Sequence, residues 1–208
     1  MKGASVDPQT VEGVKHFKCD HCAETAEPAS VAPVKAPSLY AFNYEVIVDV
    51  FYNQDMAGTT WGWLSIVCNG TTYHVICLIC EGPGTPGSRK CYAKFCSHWA
   101  RWAGYPTMLT TDRGLHNRGS FSRGLQANGV ILRQAALEAP EQIGRGERHG
   151  GILKGLLKAV IKQHHIVGND QMKLAAVVAM EVKNEGMRRG GFAPLNGYSG
   201  SSPADPAR

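Results

Sequence analysis

Three carboxylates in this chain occupy positions where side chains that perform chemistry are expected. Asp49 and Asp112 each lie in or at the end of an apolar, β-branched run, and Glu147 begins a helical pattern. A carboxylate in such a run needs hydrogen bonds, a cation or solvent. Clustered carboxylate oxygens without Cys or His favour Mg²⁺ or Mn²⁺, and two such ions about 4 Å apart stabilise an in-line phosphoryl transfer. We therefore predict that all three acids are catalytic metal ligands, with Asp49 bridging the two ions.

The helical pattern from Glu147 to His165 has one apolar face and one basic face. At 100° per residue, Glu147, Lys154 and Lys158 fall together, opposite the face that carries the leucines. Cations on this face could hold a phosphate backbone beside a metal site. The alternative for this segment alone is a solvated helix face, with Glu147 favoured by the dipole at the helix N-terminus.

The elements around these acids predict an α/β fold. Strands at residues 45–52, 61–69 and 71–80 form an antiparallel meander, because Asn69-Gly70 is a strong hairpin signal. Helices and strands then alternate, at 89–103, 107–112, 120–127, 130–135, 147–165 and 171–187. We expect a mixed five-stranded sheet flanked by helices. If the first and fourth strands are neighbours, Asp49 and Asp112 emerge near its centre.

Finer features of these helices are also predicted. Ser88 and Asp170 are expected to be N-cap residues, since Ser and Asp side chains accept hydrogen bonds from helical amides. Trp99 and Trp102 recur at helical spacing and are expected in the core rather than as a platform for stacked bases.

Composition limits the class of protein. The chain has 208 residues with 22 Lys and Arg against 17 Asp and Glu, a net charge of +5 that suits a polyanionic partner. Its seven Cys form no evident disulfide framework, which indicates reduced thiols and an intracellular protein. No secretory signal opens the sequence, and no apolar run approaches the roughly 20 residues that span a bilayer, so no membrane partner is expected.

The segment near the amino terminus contains a C-x2-C pair, Cys19 and Cys22. Two thiolates can bind Zn²⁺ but require two further ligands, and the nearby candidates, His16 and His21, crowd the pair. We interpret the pair as the second half of a zinc-binding module, with Zn²⁺ as a possible cofactor there. A loop with two free thiols is the alternative.

Several segments together resemble one family. Val-Asp-Val-Phe at Asp49, Thr-Thr-Asp-Arg-Gly at Asp112 and Gly-Arg-Gly-Glu-Arg-His-Gly-Gly-Ile-Leu-Lys at Glu147 resemble the D,D-35-E core of retroviral and LTR-retrotransposon integrases, with 34 residues between the last two acids. Residues 140–144 resemble the family's Pro-x-Gln-x-Gly active-site loop. The Cys pair resembles the end of its amino-terminal zinc domain, and residues 188–194 resemble the end of a retrotransposon core.

The resemblance implies a ribonuclease-H-like fold and an enzyme that trims the 3′ ends of element DNA and joins them to a target strand. It implies that Asp49, Asp112 and Glu147 bind two Mg²⁺ or Mn²⁺ ions. Basic residues of the last catalytic helix are the implied DNA contacts: Lys154, Lys158, Arg148 and Arg145. It further implies double-stranded DNA as partner, a homo-oligomer and a nuclear location.

The resemblance also divides the chain. Residues 1–24 are expected to be a remnant of the zinc module, 25–44 a linker, 45–190 the catalytic core and 191–208 a flexible tail, as in a retrotransposon fragment. One alternative is a catalytically silent, truncated or domesticated nucleic-acid-binding module with the same fold. Another is a different ribonuclease-H-like nuclease or transposase. Ribonuclease H itself usually carries a further acid on the helix after the meander, and residues 89–104 contain none.

Overall fold

One five-stranded sheet organises the molecule. A computed structural model describes residues 41–112, 114, 119–134 and 144–186, together with residues 7, 9, 12, 13 and 16. The strands are β1 Glu45–Gln54, β2 Thr60–Cys68, β3 His74–Glu81, β4 Met108–Thr111 and β5 Ile131–Gln134. Their order across the sheet is β3-β2-β1-β4-β5. The first three pair antiparallel, and β4 is parallel to both β1 and β5, which confirms the predicted mixed sheet.

The central strands are apolar because both faces of the sheet are covered. Every residue of β2 from Trp61 to Cys68 is buried, as expected for a strand between two helical layers. The hairpin predicted at Asn69-Gly70 joins β2 to β3 and is confirmed. Its left-handed residue is Thr72, at φ 65°, while Gly70 lies so close to the Ala41 carbonyl that a Cβ has no room.

Among residues 41–186, the described part of the chain contains four helical segments that flank the sheet. They are α1 Ser88–Phe95, α2 Ser120–Ala127, α3 Gly144–Gln163 and α4 Asn169–Gly186. The first continues through a π-helical turn, Cys96–Ala100, into a last turn, Arg101–Ala103. The order of helices and strands agrees with the prediction, so the fold class is confirmed.

Both N-cap predictions are wrong. Gly87 is the N-cap of α1, and the Ser88 hydroxyl instead accepts a hydrogen bond from the Ser120 amide at 3.3 Å. Contact with α2 has therefore recruited this side chain away from its own helix. Asp170 lies inside the first turn of α4, because the Met172 amide already bonds the Gly168 carbonyl at 3.0 Å.

The helices form a layer on each face of the sheet. Phe95, Trp99 and Phe121 bring α1 and α2 into one apolar core, while Leu157 of α3 and Met172 of α4 belong to the other. Trp99 is fully buried, as predicted. Trp102 is 37% exposed and packs its ring 5.8 Å from Phe42, so the prediction for the Trp pair holds for Trp99 alone. The Trp102 indole N–H donates a hydrogen bond to the His98 carbonyl at 2.7 Å.

The last helix covers the outer edge of β3. The Asn184 amide bonds both backbone groups of His74, accepting from its N–H at 3.0 Å and donating to its carbonyl at 2.8 Å. The Met180 sulfur accepts a hydrogen bond from the Ile76 amide at 3.0 Å. An uncovered edge strand would leave such groups available to pair with another chain, and α4 prevents this here.

A buried carboxylate ties the β1–β2 turn to the α3–α4 turn. Asp55 accepts hydrogen bonds from the Ala57 and Thr59 amides at 2.9 Å, from the Gly168 amide at 3.0 Å and from the Trp61 indole at 3.1 Å. Burial raises the pKa of Asp55, but these hydrogen bonds outweigh it and hold the pKa below its usual range. The charged form is therefore the one that joins the two turns.

Some predictions lie outside the described residues. These concern Cys19 and Cys22, the loop at 140–143 and the tail from residue 191, so the division into domains stays a prediction. Within the described residues, no helix combines the length and apolarity that a membrane crossing requires. The cysteines described there carry free thiols: Cys68, Cys77, Cys80, Cys91 and Cys96.

Candidate active site

The pairing of β1 with β4 brings the two aspartates together. The parallel register ends with Val48 opposite Thr111, so Asp49 and Asp112 are the next residues on adjacent strands. Neighbouring strands lie about 4.8 Å apart, which sets the spacing of the two backbones. The condition stated from the sequence, that the first and fourth strands are neighbours, is thus met.

Glu147 approaches the aspartates through the first turn of α3. Just before it, Gly146 lies against β1, where a Cβ would be 2.7 Å from Cγ2 and 3.2 Å from Cβ of Ile47. Ordinary carbon contacts are about 3.5–4.0 Å, so this approach requires a glycine. Because glycine has no side chain, the start of α3 can touch β1, the strand that carries Asp49.

One cleft of about 180 Å³ contains all three predicted acids. It is lined by Ile47, Val48, Asp49, Ser65, Val67, Asp112, Gly146, Glu147 and Gly150. The Asp49 and Asp112 side chains are half-buried. Asp49 accepts a hydrogen bond from the Val50 amide at 2.8 Å, and Asp112 accepts one from the Gly114 amide at 3.0 Å. Glu147 is exposed at the mouth.

The donor set suits a hard divalent cation, since carboxylate oxygens are the ligands that Mg²⁺ and Mn²⁺ prefer. Among the described residues, however, no three His, Cys, Asp or Glu side chains lie close enough to hold a metal ion. The three acids thus share a cleft without meeting at one point.

The predicted basic residues lie along the outer side of α3. Arg148, Lys154 and Lys158 are exposed, and the Lys154 ammonium lies 5.1 Å from the centre of the Phe51 ring. Phe51 follows Asp49 by two residues and shares its face of the sheet. A cation–π contact therefore holds Lys154 over the strand of the candidate site. The Arg145 side chain lies outside the described residues.

Sequence reasoning missed the polar groups behind the cleft. Ser65 is 4% exposed, and its hydroxyl lies 2.8 Å from Nε2 of the fully buried His74. A signal was available, because Ser65 interrupts the apolar β2 run much as Asp49 interrupts β1. Burial, and then the positive charges of Lys183, His149 and Lys154, hold the pKa of His74 well below its usual range. The imidazole of His74 is therefore neutral.

A buried lysine, Lys183, lies near His74. The Lys183 ammonium is fully buried and donates to the Thr72 carbonyl at 2.8 Å. Burial lowers the pKa of Lys183 to about 7, so near neutral pH this side chain divides between its charged and neutral forms.

The sequence matches no family model and no curated protein. Solved structures do match. The HTLV-2 integrase catalytic core domain in complex with magnesium, in its dimeric form, has a TM-score of 0.60 at 15% identity, covering 74% of this chain and 95% of that chain. The trimeric form of that domain has a TM-score of 0.61 at 15% identity, covering 76% and 98%.

A larger assembly gives a higher score. The intasome of simian T-cell lymphotropic virus, in complex with the PP2A regulatory subunit B56 gamma, has a TM-score of 0.69 at 17% identity, covering 98% of this chain and 69% of that chain. At such low sequence identity, structural similarity indicates a shared fold, and the observed strand order agrees with that fold. The chain therefore has the ribonuclease-H-like α/β fold of retroviral integrase catalytic cores.

Proposed function

We propose that this chain is an integrase-type polynucleotidyl transferase, which trims the 3′ ends of retroelement DNA and joins them to target DNA. The observation that carries the proposal is the cleft that holds Asp49, Asp112 and Glu147 at the centre of an integrase-like sheet. One structural neighbour is an integrase core in complex with magnesium. Two Mg²⁺ or Mn²⁺ ions are part of the proposal for this chain.

Each acid has a role in the proposal. Asp49, from the central strand, would be a ligand of both ions, and Asp112 and Glu147 would each be a ligand of one of them. When bound, the ions stabilise the attacking and leaving oxygens of the displacement. In joining, the 3′-hydroxyl of the element DNA gives up its proton to solvent and forms a new P–O bond while the target's P–O3′ bond breaks, and the departing 3′-oxygen takes up a proton. The Val50 amide orients the Asp49 carboxylate before the substrate arrives.

The basic side of α3 supports DNA as the substrate. Arg148, Lys154 and Lys158 are exposed on the helix that begins beside the cleft, and the chain carries a net charge of +5. Arg145 is a further proposed phosphate contact, from its place in the same turn. Contacts of this kind neutralise phosphates and position a duplex without reading its sequence.

Self-association is also part of the proposal. Large apolar side chains are exposed along α4: Leu174, Val177, Val178 and Val182. Leu174 is 64% exposed, and a patch of this kind on one helix is typical of a protein contact. The structural neighbours include a dimeric and a trimeric form of one integrase core. We propose a homo-oligomer, and a nuclear location where its target DNA would be found.

The test is a strand-transfer or disintegration assay with Mn²⁺. We expect Asp49→Asn and Glu147→Gln each to reduce activity on the order of 100-fold or more, since each removes a metal ligand. Glu185→Gln, an exposed acid on α4, is the matched control and should leave activity unchanged. Wild-type activity that survives Glu147→Gln would refute the role of the triad.

A silent nucleic-acid-binding module is the second candidate. It is favoured by the absence, among the described residues, of three acids close enough to hold a metal ion. Under this alternative the chain binds duplex DNA in gel-shift assays, and Lys154→Ala weakens binding, while wild type and Glu147→Gln are equally inactive. A further ribonuclease-H-like nuclease or transposase would cleave DNA without joining it.

A further inference from the structure

The face of the sheet beneath α3 and α4 carries a row of polar residues. Asp49 pairs directly with Ser65, and His74 lies diagonally beyond Ser65, on β3. Alternate residues of the same strands, such as Phe51 and Ile76, belong to the apolar core on this face. The row thus runs from the carboxylates to the outer strand through an otherwise apolar layer.

Polar groups buried in such a layer must satisfy one another. The Ser65 hydroxyl and His74 Nε2 do so at 2.8 Å, with both residues almost fully buried. Directly opposed residues of an antiparallel pair have their Cβ atoms about 4.5–5.5 Å apart. Ser65 and Asp49 are therefore direct neighbours on one face of the sheet, and both residues line the same cleft.

The surroundings of His74 indicate which atom carries its proton. Within the described part of the chain, His74 Nδ1 has no hydrogen-bond partner. An orphaned buried N–H is rarer in proteins than an under-satisfied acceptor, so the proton belongs on Nε2. Nε2–H then donates to the Ser65 oxygen, and the Ser65 proton must point to another acceptor. Asp49 is the acidic residue that the strand register places directly opposite Ser65.

The burial of His74 supports this arrangement. Burial, and after it the electrostatic effect of Lys183, His149 and Lys154, disfavours a second proton on the ring. The ring stays neutral, so it cannot turn into a cation that competes for the carboxylate. It acts as a fixed donor behind the serine.

We propose that Ser65 and His74 are positioning residues for Asp49: the Ser65 hydroxyl donates a hydrogen bond to the Asp49 carboxylate, and the His74 ring holds that hydroxyl in place. The inference rests on the proposed metal site. A hydrogen bond to a ligating carboxylate fixes its orientation and strengthens metal binding, and loss of such a partner typically weakens affinity by about 10- to 100-fold.

The test measures Mn²⁺ affinity of the full chain by calorimetric titration. We expect Ser65→Ala to weaken binding about 10-fold and Ser65→Thr, which keeps the hydroxyl, to stay within about 2-fold of wild type. His74→Phe should weaken binding as much as Ser65→Ala, and the double variant no further, because the pair acts as one unit. Ser88→Ala, which removes a hydrogen-bonded hydroxyl away from the cleft, should leave affinity unchanged.

Stability is measured on each variant, so that a structural role is distinguishable. A lower melting temperature for Ser65→Ala with unchanged Mn²⁺ affinity overturns the inference, provided that Asp49→Asn abolishes binding. If wild type binds no Mn²⁺, or Asp49→Asn binds as well as wild type, the proposed metal site and this inference both fail. Should His74→Phe not fold, the contrast between Ser65→Ala and Ser65→Thr decides alone.

Discussion

Replacing Gly146 by alanine tests how α3 brings Glu147 to the cleft. The added Cβ would lie 2.7 Å from Ile47 Cγ2, about 1 Å inside ordinary contact distance. Ile47 is 3% exposed and the contact includes its Cβ, so the side chain cannot simply rotate away. Overpacking of this kind costs about 1–3 kcal/mol, against a gain of about 1 kcal/mol from a better helix former.

We expect the strain to be relieved by an outward movement of the first turn of α3 by about 1 Å, the size of the overlap, which would carry Glu147 with it. A displacement of that size at a catalytic group can cost about 100-fold in rate. We therefore expect Gly146→Ala to lower the free energy of unfolding by roughly 1 kcal/mol and to lose most Mn²⁺-dependent strand transfer. Urea unfolding and a strand-transfer assay measure the two effects.

Gly151→Ala and Gly155→Ala are the matched controls on the same helix. Neither added Cβ would meet an atom within 4 Å, so both should stabilise the protein by about 0.5–1 kcal/mol and leave activity intact. If Gly146→Ala is as stable and as active as Gly151→Ala, the close approach of α3 to β1 does not position Glu147, and the reasoning is wrong.

Three further predictions concern single side chains. Asp55→Ala should lower the free energy of unfolding by about 2–4 kcal/mol, because four hydrogen-bond donors lose their acceptor. The stabilisation by Asp55 is present above the unfolded pKa of Asp and is lost as the pH falls through the lower folded pKa. The free energies of unfolding of wild type and variant, measured in urea, should therefore converge in acid. The folded pKa of Lys183, about 7, lies below its ordinary value of 10.5, so the stability of the wild type should rise with pH between these two values. Lys183→Met should remove this pH dependence of the free energy of unfolding, measured by denaturation from pH 7 to 10. An unchanged pH dependence would contradict the conclusion that burial lowers the pKa of Lys183. Lys158→Ala should weaken duplex binding and reduce the slope of log K against log salt concentration by about one. Lys173→Ala, at an exposed lysine of α4, should change neither quantity. Equal effects of the two substitutions would show that α3 does not bind the DNA.

Local patterns predicted much of this fold. The continuous apolar run of β2 is typical of a strand buried on both faces. The leucines of α3 follow a period of 3.6 residues, and the buried Leu153 and Leu157 lie on the predicted face. The proximity of Asp49 and Asp112 was predicted only on the condition that the first and fourth strands are neighbours, which the pairing of β1 with β4 meets. The confirmed predictions of helices and strands rest on neighbours in sequence.

The prediction that Ser88 is an N-cap failed for the opposite reason. Ser88 has the chemistry of an N-cap, but its hydroxyl bonds Ser120, 32 residues away. Propensity describes what a side chain does in isolation, and a contact with another helix changed the outcome. The left-handed turn residue, Thr72 rather than Gly70, was likewise decided by packing against Ala41.

The sequence by itself determined the five-stranded α/β fold and the candidate acids, because hydrophobic period and residue type are local properties. The tertiary structure alone decided what surrounds those acids. Gly146 meets Ile47 only because α3 crosses β1, and His74 lies behind Ser65 only because two strands pair in one register. Lys183 bonds Thr72 across 111 residues of sequence. Contacts of this range depend on the path of the whole chain, and no local pattern encodes them.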